Sequence, residues 1–197
     1  MIIETPPLYK CSYITFDFVK ESWQQDQYWA LRKSILCDEQ QIFEAHDRDE
    51  IDKTAIPIIA ECSYGGQVDQ VIGVVRIDER EPGIWWGSRL GVCVLYRRLS
   101  RFQTSGLFDD NVPVHPFTMN IGGALIYKAL STALAIGCSE FYAYVQEQNV
   151  NFFTRMHWAS LEVKNYHGKI HHLMKCDLSY YKPSAVSLQQ FNTKSAA

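Results

Sequence analysis

The segment YRRLSRFQTSGLFDDNVPVHPFTMNIGGALI, residues 96–126, decides how the chain is read. Arg97 and Arg98 follow an apolar strand, and Gly122 and Gly123 open an apolar helix. Between these flanks neither the two-residue nor the 3.6-residue apolar period is kept. Loops of about twenty residues are uncommon inside compact domains, and are usually functional or disordered. Two arginines beside the unpaired amides of a helix start have the chemistry of one anion-binding turn. On that reading residues 99–119 are an insertion into a ligand site. Its Phe102, Leu107, Phe108 and Phe117 suit a flap packed on a ligand or a second subunit, and a solvated excursion is the alternative.

Upstream, YITFDFV alternates apolar and polar residues as a first strand does. Asp26 is placed to cap a helix carrying Trp29, Leu31, Ile35 and Leu36 as a buried stripe. The acidic stretch CDEQQIFEAHDRDEID reads as a short turn or helix and then a solvated loop. AIPIIAECSY and VIGVVRIDE flank the turn GGQVDQ as a hairpin. WWGSRLGVCVLY is a further strand, and Gly87 and Gly91 within it mark a bulge or a close backbone approach.

Downstream, residues 121–136 fit a helix ending at Gly137. Then follow the strand SEFYAYVQ, the short helix NVNFFTRMHW, and a hairpin of SLEVKNYHG and KIHHLMKCDL turning at Gly168-Lys169. The fold class is therefore α/β (α+β), with a mixed, mostly antiparallel central sheet of about seven strands flanked by helices. One domain spans residues 1–183, and residues 184–197 form a polar C-terminal tail.

Composition narrows the function. The chain has 197 residues, 47% hydrophobic and 21% charged, which suits one globular domain with a substantial core. A formal net charge of −3 gives no footprint for nucleic acid. No apolar run reaches the roughly 18 residues of a membrane span, and no signal pattern opens the chain. Six well-separated cysteines, several inside apolar runs, point to a reducing, cytoplasmic compartment. Composition leaves a homodimer open.

RLGVCVLYRR, NIGGALI and FYAYVQEQNVNFFTRMHW together resemble the GCN5-related N-acetyltransferase (GNAT) superfamily. They are similar to its central strand, its pyrophosphate turn, and its fifth strand with the helix that follows. The resemblance covers about residues 10 to 180. YWALRKSILCDEQ, RIDEREPGIWWGSRLGV and HGKIHHLM further resemble one bacterial branch, the nitrogen-starvation N-acetyltransferases. It implies the GNAT fold and an enzyme that moves an acetyl group from acetyl-CoA, as co-substrate, to a small-molecule amine. Asn120, Ile121, Gly122, Gly123 and Ala124 would receive the pyrophosphate, with Arg97 and Arg98 at the mouth. Asn120 stands where the family usually has glycine, and asparagine tolerates left-handed backbone angles better than most residues. Leu90, Gly91 and Val92 would pair with the pantetheine arm. The Val92 amide would meet the thioester carbonyl, while Asn149 and Phe153 would line the slot.

Acyl transfer to an amine needs a base for the ammonium, a polarised carbonyl and a proton for the thiolate. The family's usual acid on the central strand is absent here, where Trp85, Trp86, Gly87 and Ser88 stand, and Phe153 occupies the place of its usual tyrosine. The candidates that remain are Glu39 or His171 as base and Tyr144, on one strand face with Tyr142, as acid. Glu39 also reads as a surface carboxylate, and His171 and Tyr144 as satisfied structural residues. A free imidazole titrates near about 6.5, which suits a base at neutral pH. Three competing functions stand beside this one. His157, His167, His171 and His172 could bind zinc, but adjacent strand residues face opposite sides and no cysteine is at ligand spacing, so no metal is expected. An acyl-CoA sensing module would bind without turnover. An N-acyl-homoserine lactone synthase would use the same fold for another product.

Overall fold

The computed structural model describes residues 13–64, 67–97, 120–166 and 168–183. Arg98, the insertion 99–119, His167 and the tail 184–197 lie outside the described residues. Strands β1 (Tyr13–Phe18), β2 (Ile56–Tyr64), β3 (Gln67–Glu81), β4 (Ile84–Val92), β5 (Glu140–Gln146), β6 (Trp158–Tyr166) and β7 (Lys169–Cys176) form one sheet. Its order is β1-β2-β3-β4-β5-β7-β6. Every pairing is antiparallel except β4 with β5. Helices α1 (Ser22–Lys33), α2 (Ile121–Ala135) and α3 (Val150–Arg155) complete the order read from sequence.

The crossover explains α2. A parallel neighbour cannot be reached by a tight turn, so the chain returns through a helix packed on the sheet. Almost the whole of α2 is buried, and it stops as expected. Gly137 at φ 98° completes a Schellman cap, in which Cys138 N donates to Ala133 O at 2.9 Å. Helix and sheet meet closely at Gly73, where a Cβ would stand 2.8 Å from Leu125 Cδ1. The described cysteines are free. No described helix is long and apolar enough to cross a membrane.

Helix α1 differs from its sequence reading. It begins four residues before Asp26, and Gln24 Oε1 accepts from the amides of Lys20 (2.7 Å) and Glu21 (2.8 Å). Its buried residues are Gln24, Tyr28 and Arg32, spaced four apart, rather than an apolar stripe. Of the expected stripe, Trp29 and Leu31 are only partly buried, whereas Ile35 and Leu36 are buried, in the turn of Ser34–Glu39 that follows α1. A polar stripe can face inward because the sheet and the acidic segment supply partners. Gln24 bonds the buried Glu61, and Arg32 is 0% exposed among aspartates.

Candidate active site

Strands β4 and β5 are paired only from Ile84↔Glu140 to Gly87↔Ala143. Beyond that pair they part, although β4 continues to Val92 and β5 to Gln146. The parting has a visible cause. Between Val74↔Gly91 and Arg76↔Ser88, β4 carries one more residue than β3, and Arg89 sits there at φ 58°. A bulge bends its strand. The two flanking glycines permit close packing: a Cβ on Gly87 would lie 2.9 Å from Phe141 Cε1, and one on Gly91 2.8 Å from Ile35 Cδ1.

A cavity of about 330 Å³ runs through this fork and reaches both faces of the sheet. On the α2 face its wall is apolar, built from Val75, Ile126, Leu130, Phe141, Phe153 and Trp158 among others. On the α1 face it is aromatic and polar. Trp86 lies 5.5 Å from Tyr144, Tyr144 stacks on Tyr166 at 6.0 Å, and Tyr166 meets the edge of His171 at 5.8 Å. Arg80 covers Trp86 at 4.2 Å. Leu90, Asn149, Phe153, Tyr144 and His171, all named from sequence, line this one cavity.

His171 is 5% exposed, and its Nδ1 lies 2.9 Å from the Lys169 carbonyl oxygen. A carbonyl only accepts, so Nδ1 donates, and of the two neutral tautomers the one with its lone pair on Nε2 fits this contact. His172 points elsewhere, with Nδ1 2.8 Å from Ser160 Oγ. Asn149 occupies the N-cap position of α3 but makes no capping bond with its side chain. That leaves its amide available to the cavity.

The remaining candidates surround the end of β4. Cys93 N donates to Ile72 O at 2.8 Å across β3. By strand alternation the Val92 amide faces the open side, as does its carbonyl, which accepts from Arg97 Nε at 2.7 Å. Nearby, Asn120 caps α2, its Oδ1 accepting from Gly123 N at 2.8 Å. Its φ of −82° is ordinary, so no left-handed geometry is involved. Asn120 thus takes over one of the helix's unpaired donors, and Ala124 N bonds the Asn120 carbonyl at 3.0 Å. The Ile121 and Gly122 amides have no partner found among the described residues. Gly122 is uncrowded, its nearest neighbour to an added Cβ being Asn120 Oδ1 at 3.5 Å.

Glu39 has another occupation. It ends a π-helical turn, Ser34–Glu39, and takes a bidentate bond from Arg97 at 2.6 and 2.7 Å. Hydrogen bonding to Arg97 holds its carboxyl below the usual range, against a smaller opposing effect of burial. A carboxylate held ionised in this way is a weak proton acceptor. It is also absent from the cavity wall. The same pair occupies the Arg97 guanidinium.

The sequence reading missed a charged cluster whose Asp49, Arg76 and Arg89 form part of the cavity wall. The acidic stretch read as a solvated loop instead folds inward: Asp47 is 2% exposed. Arg32 bonds Asp47 at 2.7 Å and Asp52 at 2.6 Å, and Arg76 bonds Asp49 at 2.6 and 2.7 Å. Arg89 reaches Asp47 at 3.1 Å and Asp49 at 2.9 Å, and Arg76 Nε donates to Ser88 Oγ at 2.8 Å. Burial opposes the charge on Asp49 and Asp52, but hydrogen bonds from Arg76 to Asp49 and from Arg32 and Arg76 to Asp52 outweigh it, and both carboxyls sit below the usual range. Burial and the neighbouring Arg76 charge pull Arg89 down. Three arginines against three aspartates leave no net charge. The signal was the alternation Arg76, Asp78, Arg80, which puts charges on one face of a central strand. Among the described residues, no group of three or more histidine, cysteine, aspartate or glutamate side chains is placed to hold a metal.

No protein-family model matches the sequence, and no curated protein is significantly similar to it. Solved structures are similar in shape. An acyl-CoA N-acyltransferase from Pseudomonas aeruginosa superposes with a TM-score of 0.60 at 15% identity, covering 83% of this chain and 98% of its own. The fold is that of the GNAT acyltransferases. ElaA of Escherichia coli gives 0.61 at 17% identity with the same coverages of 83% and 98%. A CoA-dependent acyl-homoserine lactone synthase, solved with SAM and isopentyl-CoA, gives 0.56 at 15% identity, covering 84% of this chain and 83% of its own.

Proposed function

We propose that the chain is an acyl-CoA-dependent N-acyltransferase acting on a small amine, with acetyl-CoA as the smallest donor. The observation that carries this reading is the cavity through the β4/β5 fork. Its wall brings Leu90 of β4, Asn149 and Phe153 together with Tyr144 and His171, while Gly91, Val92, Arg97 and residues 120–124 lie outside that wall. The pyrophosphate lies against the Ile121 and Gly122 amides, where the positive end of α2 favours an anion. The pantetheine arm runs along the open edge of β4 from Leu90 to Val92, near the Asn149 amide. The Val92 N–H receives the thioester oxygen as it gains charge.

His171 Nε2 takes the ammonium proton of the acceptor, directly or through water. The neutral amine attacks the carbonyl carbon, the C–N bond forms, and the C–S bond breaks. The departing thiolate takes a proton from the Tyr144 hydroxyl, and the second proton of the attacking nitrogen, lost as the amide forms, returns through water to the Tyr144 oxygen. Glu39 and Arg97 hold the π-helical turn against the end of β4, so we assign them to positioning. The resemblance to the nitrogen-starvation branch supports a small nitrogen metabolite as acceptor.

The test is incubation with acetyl-CoA and an amine panel, following free thiol and the mass of the product. Thiol release with an acylated amine supports the reading. Coenzyme binding without release points instead to a sensing module, and loss of coenzyme binding removes the reading altogether. A homoserine lactone-type synthase, raised by the similar fold of one such enzyme, would yield a lactone mass instead of a simple amide.

A further inference from the structure

We infer that the outer edge of β6 is the interface of a homodimer, in which two copies pair β6 with β6 antiparallel about Val163. The inference is independent of the acyltransferase reading. β6 is the last strand of the sheet, and no described strand pairs with its outer edge. Every residue from Ala159 to Tyr166 is exposed. Among them are Leu161 at 56%, Val163 at 58% and Tyr166 at 47%. Ile170 of β7, diagonal to Val163 across the β6/β7 pair, is 47% exposed. An open strand edge presents a row of N–H and C=O groups to any strand that can match it, and proteins commonly guard such edges with charge.

The charges on β6 do not guard it against itself. Glu162 and Lys164 are two residues apart, share one face, and bond each other at 3.0 Å. Two-fold pairing about Val163 sets Glu162 opposite the partner's Lys164, and Lys164 opposite the partner's Glu162. The four charges then alternate in sign on one face of the joined sheets. On the other face Val163 meets the partner's Val163, with Ile170 of each copy diagonal to it. Two-fold pairing centred on Glu162 or on Lys164 would instead set like charges directly opposite, which is destabilising. Charge complementarity therefore selects both the occupant, a second copy, and its register. The contact has the self-complementary form of an isologous interface. It keeps both Tyr166 side chains, which line the two cavities, on the same side of one continuous sheet. A register shift between Ser160 and Glu162 shortens the regular stretch, so the contact is small and the dimer reversible.

The measurement is sedimentation equilibrium of the full chain from micromolar to submillimolar concentration, where a reversible dimer is expected. Glu162→Lys, which opposes lysine with lysine at both ends of the contact, should weaken the dimer at least about tenfold. Adding Lys164→Glu to that variant swaps the charges and should restore it. Opposed residues in an antiparallel pair stand about 4.5–5.5 Å apart between Cα atoms, within disulfide reach. Val163→Cys should therefore cross-link to a covalent dimer under mild oxidation, whereas Asn165→Cys and the wild type should not. A monomer at every concentration overturns the inference. So does a dimer that Glu162→Lys leaves intact and Val163→Cys does not capture, since that dimer uses another surface. A charge swap that folds, by circular dichroism, but stays monomeric overturns the register. Should Glu162→Lys not fold, the wild-type series and the Val163→Cys cross-link still decide.

Discussion

The two faces of the sheet are held by opposite means. Helix α2 covers one with a mainly apolar surface, in which Leu125, Leu130 and Ala133 are wholly buried. Helix α1 and the acidic segment cover the other with Arg32, Arg76 and Arg89 locked among Asp47, Asp49 and Asp52. Apolar packing is non-directional, and tolerates repacking when volume is kept. A buried ionic network works only in one geometry, because every charge must keep its partner. The polar face is therefore the one able to fix the angle of the bulge at Arg89. That bulge opens the fork, so the rigid charge cluster positions a cavity whose other wall is soft.

Removing parts of each face separates these roles. The largest effect expected is on turnover: His171→Asn should lower kcat about 10²–10⁴-fold, while melting temperature and coenzyme affinity hold. A kcat within a few-fold of wild type would reject His171 as the base. Arg32→Ala should cost about 3–5 kcal/mol in denaturant unfolding, since it takes one arginine partner from both Asp47 and Asp52 and leaves Arg89 and Arg76 to hold them alone. Leu125→Ala on the opposite face should cost about 2–5 kcal/mol, and differs in kind. It should leave the fork's affinity for CoA intact in the folded fraction, whereas Arg32→Ala should weaken it.

Acid should act on one face only. Asp49 and Asp52 have folded values below the ordinary 3.8. Their contribution is complete above that value and is lost as pH falls through the lower folded values. Unfolding midpoints should therefore drop below about pH 4, and Arg32→Ala should blunt the drop. The smallest effect is that of Glu39→Gln, whose partly exposed pair with Arg97 contributes about 0–1 kcal/mol. A kcat loss of 10²-fold or more in that variant would return Glu39 to the role of base.

Much of the site was legible because its parts are local. Asn149 and Phe153 were named through the family resemblance of one strand-to-helix junction, and His171 from its place on the last hairpin; all three line the cavity. Gly87 and Gly91 signalled close approach, which the structure shows against Phe141 and Ile35. The occupation of Glu39 was not legible, because its partner Arg97 is 58 residues away. Nor was the burial of Asp47, since an acidic run looks solvated until three distant arginines converge on it.

By itself the sequence determined the order of strands and helices, the Schellman stop at Gly137 and the crossover that makes one pairing parallel. These rest on periodicity and backbone preference, which act over a few residues. Tertiary structure alone decided which charges were buried, where β4 bulged and how far β4 and β5 parted. Those outcomes depend on groups remote in the chain meeting at bonding distance, and no local pattern encodes that meeting.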